Sequence, residues 1–132
     1  MMPSINEPSR EESEQGMDGE QMKDVTIVGG GIGGLAFALF LHERGISCRV
    51  YEAVEEIGTV GAGINILPHA VKELDGLGLV PELDKVGIRT KDASYFNHYG
   101  QHIYTEPAGL DAGYSWPQFS IHRGDLQQVL LE

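Results

Sequence analysis

From residue 25 the chain alternates short apolar runs with breaks marked by glycine or proline. Val25-Thr26-Ile27-Val28 is β-branched and apolar on both faces, the pattern of a strand buried in a parallel sheet. Glycines follow. Ile32 to Arg44 then places apolar side chains at 32, 35, 36 and 39, the stripe of a helix that buries one face. Gly45 is a stop signal, with the cation of Arg44 in the last turn. Ser47 to Glu52 (SCRVYE) predicts a second strand. Strand, glycine turn, helix and strand in that order form a βαβ unit, right-handed by the crossover rule.

Downstream, Gly58 to Gly63 is expected as a loop and Pro68 to Leu77 as a short helix, with Pro68 suited to its first turn. Pro81 to Val86 predicts a further helical turn. Ala93 to Tyr99 and Gln101 to Glu106 read as two strands of a hairpin joined at Gly100, and Gln118 to His122 as a short strand. Arg123 to Glu132 starts a helix with no stop signal, so residues 25–132 are expected to be the N-terminal part of a larger, truncated domain. Residues 1–24 differ. They carry seven acids and two bases and almost nothing apolar, the composition of a disordered acidic arm.

Composition narrows the function classes. Nine basic and twenty acidic side chains give a net charge of −11, which argues against a nucleic-acid backbone or an anionic membrane as the main partner. Apolar residues make up 41%, enough for a packed core. The single cysteine, Cys48, cannot staple the fold and suits a reducing compartment. The N-terminus lacks the basic and apolar regions of a secretory signal, and the apolar run Leu35–Leu41 is too short for a membrane span. A cytoplasmic protein is the expectation.

Candidate chemistry concentrates at the glycines. Gly29, Gly31 and Gly34 satisfy G-x-G-x-x-G directly after a strand and at the opening of a helix, the context that motif requires for dinucleotide binding. The first glycine permits the turn, the second lets backbone approach a pyrophosphate, and the third allows helix and strand to pack closely. Helix-start N–H groups and the positive end of the dipole then face the phosphates. Glu52 ends the second strand, where a carboxylate accepts ribose hydroxyls and repels a 2′-phosphate. That favours FAD or NAD over NADP at this site.

Other residues carry weaker signals. His98 and His102 are the only close histidine pair and straddle the hairpin turn, so no metal site is expected. Cys48 reads as a packed, inert thiol. Tyr95, Phe96, Tyr99, Tyr104, Trp116 and Phe119 suit the core or a sheet face better than a substrate pocket.

GAGINILPHAVKELDGLGL (61–79) and SIHRGDLQQVLL (120–131) resemble stretches of FAD-dependent aromatic-ring monooxygenases, the salicylate and para-hydroxybenzoate hydroxylase group. EPAGLDAGYSWPQFSIHRGDLQ (106–127) is most similar to the phenazine-carboxylate monooxygenase-like branch. The resemblance runs from Lys23 to the last residue. It implies an α/β fold in which a Rossmann-like FAD-binding βαβ unit carries added helices and a β-hairpin, an incomplete FAD-binding domain. It also implies that Gly29, Gly31, Ile32, Gly33 and Gly34 form the pyrophosphate loop and that Glu52, with Ala53, binds the ribose. Gly61 and Gly63 would pass close to the flavin. Arg123, of the HRxxL motif, would reach FAD near its phosphates and ribityl chain. Gln127 lies one helical turn beyond Arg123 and by that spacing is expected to bind the same cofactor. Two positions depart from the family: His69 stands where many relatives have Asn, and Gly30 where many have Ala, a small change expected to be harmless. The implied activity is hydroxylation of a small aromatic compound with NAD(P)H and O₂, and no catalytic residue is assigned. The alternatives are a fragment of an NAD-linked dehydrogenase and a non-catalytic nucleotide-binding module.

Overall fold

The protein is described by a computed structural model over residues 25–54 and 62–132. The expected acidic arm (1–24), most of the Gly58–Gly63 loop and the candidate Gly61 lie outside the described residues.

β1 (Val25–Val28) and β2 (Cys48–Tyr51) pair in parallel, from Val25 opposite Cys48 to Val28 opposite Tyr51. Between them runs α1 (Ile32–Glu43), one residue shorter than expected. Gly45 ends it in a left-handed conformation (φ +68°). Its N–H donates to the His42 carbonyl and that of Ile46 to the Leu41 carbonyl, both at 2.9 Å. These bonds satisfy carbonyls that the last helical turn would leave open. The expected stripe is the packed face: Leu35 is buried, and Ile32, Ala36 and Leu39 lie against the core.

The second sheet has β7 (Gln118–His122) at its centre, antiparallel to both β3 (Gly63–Ile66) and β4 (Ile88–Thr90). One reading is corrected here: Gly63 opens a strand rather than closing a loop. Residues 88–90 form a further strand that no local pattern announces. Both strands are short, and their state comes from pairing with distant β7 rather than from propensity. Ile64 and Ile66 sit opposite Ile121 and Phe119, so one face of this sheet is apolar. Against it pack α2 (Pro68–Gly76), α3 (Val80–Val86) and α4 (Arg123–Val129). Phe119, Leu83 and Val71 are fully buried at the centre.

α4 does not run to Glu132 as expected. It ends at Val129, where the Leu131 N–H tightens onto the Gln128 carbonyl and the Leu130 side chain turns into the core. The hairpin strand β5 (Asp92–Phe96) starts one residue earlier and ends three earlier than expected, and β6 (His102–Pro107) keeps its expected length but is shifted by one residue. Asn97 takes residues 97–101 into the turn, its Oδ1 accepting from the Tyr99 and Gln101 N–H groups at 3.0 and 2.9 Å. Gly100, at φ +79°, completes that turn. No helix among the described residues is long and apolar enough to cross a membrane.

Candidate functional site

The glycine loop leaves β1 and enters α1. Gly29 sits at φ +107°, a region side chains rarely adopt, and its N–H donates to the Tyr51 carbonyl at 2.7 Å. The turn is thereby tied to the end of β2. A Cβ on Gly34 would stand 2.0 Å from the Gly29 carbonyl oxygen and 3.3 Å from Ile27 Cγ2, so only glycine fits between helix and strand. At Gly31 and Gly33 an added Cβ meets nothing within 4 Å. The backbone there faces open space.

Into that space the helix presents unused donors. The N–H groups of Gly31, Ile32, Gly33 and Gly34 have no acceptor among the described residues, and α1 has neither a capping side chain nor an acid in its first turn. Unpaired donors at the positive end of a helix dipole form a surface suited to an anion.

Glu52 follows β2 and closes on the loop. Its carboxylate accepts from the N–H of Gly30 at 2.6 Å, Ala53 at 2.7 Å and Val54 at 3.0 Å. These three donors, Val54 foremost, hold the carboxyl below its usual pKa, so it is charged at neutral pH. Gly30 is more than a harmless exchange for Ala. A Cβ there would lie 3.2 Å from both Glu52 Cβ and Oε2. The glycine makes room for the carboxylate.

α4 reaches the same loop from the other side. Gln127 Nε2 donates to the Gly30 carbonyl at 2.7 Å. Arg123 lies one turn earlier on that face. Its side chain is exposed and makes no hydrogen bond or ion pair among the described residues, with Asp125 or with any other acid. Its backbone N–H donates to the Ala62 carbonyl at 3.3 Å. Gly63 pairs with His122, which sets it beside the start of α4. Ala53 is exposed next to Glu52.

Sequence reasoning missed three features. His122 caps α4, its Nδ1 accepting from the Gly124 N–H at 3.2 Å. Gln127 contacts the protein loop, a target its helical spacing does not reveal. Thr90, Ser120 and Asn65 form a hydrogen-bonded row across β4, β7 and β3, with spacings of 2.8 and 2.7 Å. The aromatic residues do not gather in one place: Phe119 is core, Trp116 Nε1 donates to Asp75 at 3.0 Å, and Tyr95, Phe96, Tyr99 and Tyr104 are exposed on the hairpin. Among the described residues, no group of three or more His, Cys, Asp or Glu side chains is arranged to hold a metal ion.

Residues 22–129 match the FAD binding domain family. A phenazine 1,6-dicarboxylic acid hydroxylase of Lysobacter antibioticus is 47% identical over 109 residues, which cover 82% of this chain and 27% of that protein. A 3-amino-4-hydroxybenzoate 2-monooxygenase of Streptomyces cremeus is 37% identical over 109 residues, 80% of this chain and 28% of its own length. The crystal structure of Klebsiella pneumoniae HpxO complexed with FAD and uric acid superposes with a TM-score of 0.70 at 30% identity, covering 84% of this chain and 28% of that one. The chain thus spans little more than a quarter of the length of these relatives. It belongs to the FAD binding domain family, alongside monooxygenases and hydroxylases of aromatic compounds.

Proposed function

We propose that this chain is the FAD-binding portion of a flavoprotein monooxygenase that hydroxylates a small aromatic compound with NAD(P)H and O₂. The observation that carries the reading is the set of N–H groups at Gly31–Gly34 without an acceptor among the described residues, beside the charged Glu52 carboxylate. These residues fit FAD. The open space at Gly31 and Gly33 admits a diphosphate against backbone, and the helix start supplies its donors. Glu52 accepts hydroxyl hydrogens of the ribose, with Ala53 beside it. Its charge disfavours a 2′-phosphate. Arg123, a cation without a protein partner among the described residues, serves the phosphates and the ribityl chain. Gly63, paired with His122 beside the start of α4, leaves room for the flavin ring.

When bound and reduced by NAD(P)H, FAD supplies the oxygen chemistry of hydroxylation; these residues bind and orient it. The aromatic substrate is inferred from the relatives' names. A cytoplasmic setting is supported by the lone cysteine, half-buried on β2.

The test is a spectral titration of the chain with FAD, with NADP⁺ as a competitor. Saturable perturbation of the flavin absorbance that NADP⁺ fails to displace supports the reading. No perturbation, or efficient displacement by NADP⁺, overturns it.

A further inference from the structure

Gly30 is held at both ends by side chains from distant parts of the chain. Glu52 takes its N–H at 2.6 Å, and Gln127 donates to its carbonyl at 2.7 Å across 97 positions of sequence. It lies between Gly29 and Gly31, and three successive glycines form the stretch of backbone most free to rotate. The direction of the next N–H depends on this clamp. In a planar trans peptide the carbonyl of one residue and the N–H of the next point in opposite directions. A bond that fixes the Gly30 carbonyl toward α4 therefore turns the Gly31 N–H away from α4. That N–H is the first of the four unused donors. A flipped peptide would replace the donor with a carbonyl oxygen, which repels a phosphate.

The anchor is firm. Gln127 is half-buried, and its neighbours Leu126, Val129 and Leu130 sit in the core at 3, 8 and 3% exposure. Helical spacing from Arg123 points Gln127 at the ligand; the geometry gives it a different partner, the Gly30 carbonyl.

We infer that Gln127 is a positioning residue: it fixes the Gly30–Gly31 peptide so that the Gly31 N–H faces the diphosphate, and it acts on affinity through the loop rather than by touching the ligand. This inference rests on the FAD reading above.

The experiment uses the full chain labelled with ¹⁵N, as wild type, Gln127→Leu, Gln127→Glu and, as a charge control, Gln128→Glu on the neighbouring exposed residue. ADP and adenosine are the probes. Gln127→Leu and Gln127→Glu are expected to weaken ADP binding about tenfold and leave adenosine binding unchanged. Both should shift the Gly31 amide resonance before any ligand is added, and Gln128→Glu should do neither. Equal loss of ADP and adenosine, or an unmoved Gly31 amide, overturns the inference. Because Gln127→Glu preserves the side chain's shape, it stands in should Gln127→Leu fail to fold. A wild-type chain that does not bind ADP contradicts the FAD reading, and the Gly31 amide of the ligand-free variants then decides the positioning role separately.

Discussion

Gly34 is under the tightest steric constraint in the glycine loop. A methyl group placed 2.0 Å from the Gly29 oxygen meets backbone that is itself bonded to Tyr51, so the neighbour cannot yield cheaply. Gly34→Ala should destabilise the chain by about 1–3 kcal/mol or more, read from the midpoint of urea unfolding. Wild-type stability would mean the helix start is looser than described. Glu52→Ala should weaken FAD binding about tenfold by calorimetric titration, through loss of a charged acceptor. Unchanged affinity would remove Glu52 from the ribose. Its folded pKa lies below the ordinary 4.5, so its contribution is complete above that value and is lost as pH falls through the lower, folded one. FAD affinity should accordingly hold from neutral pH down to about 4.5 and decline only below it. The glycine spacing and the acid at the end of β2 were legible in the sequence, because both belong to one local βαβ pattern. The grip of Glu52 and Gln127 on Gly30 was not. The Glu52 bond depends on how the chain turns after β2, and the Gln127 bond on where α4 comes to rest, 97 residues away.

Among the elements, β1, α1 and β2 were legible for the same reason: period and stop signals lie within the segment. The strands β3 and β4 depend on β7 and carry no local signature of their own. The hairpin was legible as a pair, but its turn was set one strand end too late, because the Asn97 side chain claims N–H groups that the pattern gave to the ladder. On this hairpin Tyr95 stacks on Tyr104 with ring centroids 5.3 Å apart, and both hydroxyls donate to the Glu106 carboxylate. The Tyr104 hydroxyl is pushed up to about 12, chiefly by its bond to Glu106. A raised folded value means the neutral tyrosine stabilises the hairpin below the ordinary value of 10, and that support is lost as pH rises through about 12. Glu106→Gln should bring this late tyrosinate absorbance back toward 10. An unaltered titration would show that the carboxylate does not hold the hydroxyl.

For the whole molecule, one apolar cluster joins α1 to the β3–β7–β4 sheet and its three helices, so the glycine loop and Arg123 are positioned by the same core. Phe119 lies at its centre with no exposed surface, under the Arg89 guanidinium 5.7 Å away. Phe119→Ala should cost about 3–5 kcal/mol in chemical denaturation and loosen the site along with the core. A loss confined to one end of the molecule would argue that the two are uncoupled. The central claim, that a dinucleotide binds where the four unused N–H groups meet Glu52, is tested most directly by mapping FAD onto the ¹⁵N-labelled chain by amide chemical shift. The account predicts that the largest perturbations fall on Gly31, Ile32, Gly33 and Gly34 and on Glu52 and Ala53, with the hairpin residues 92–107 unmoved. Perturbations centred on the hairpin, or none at saturating FAD, would contradict it.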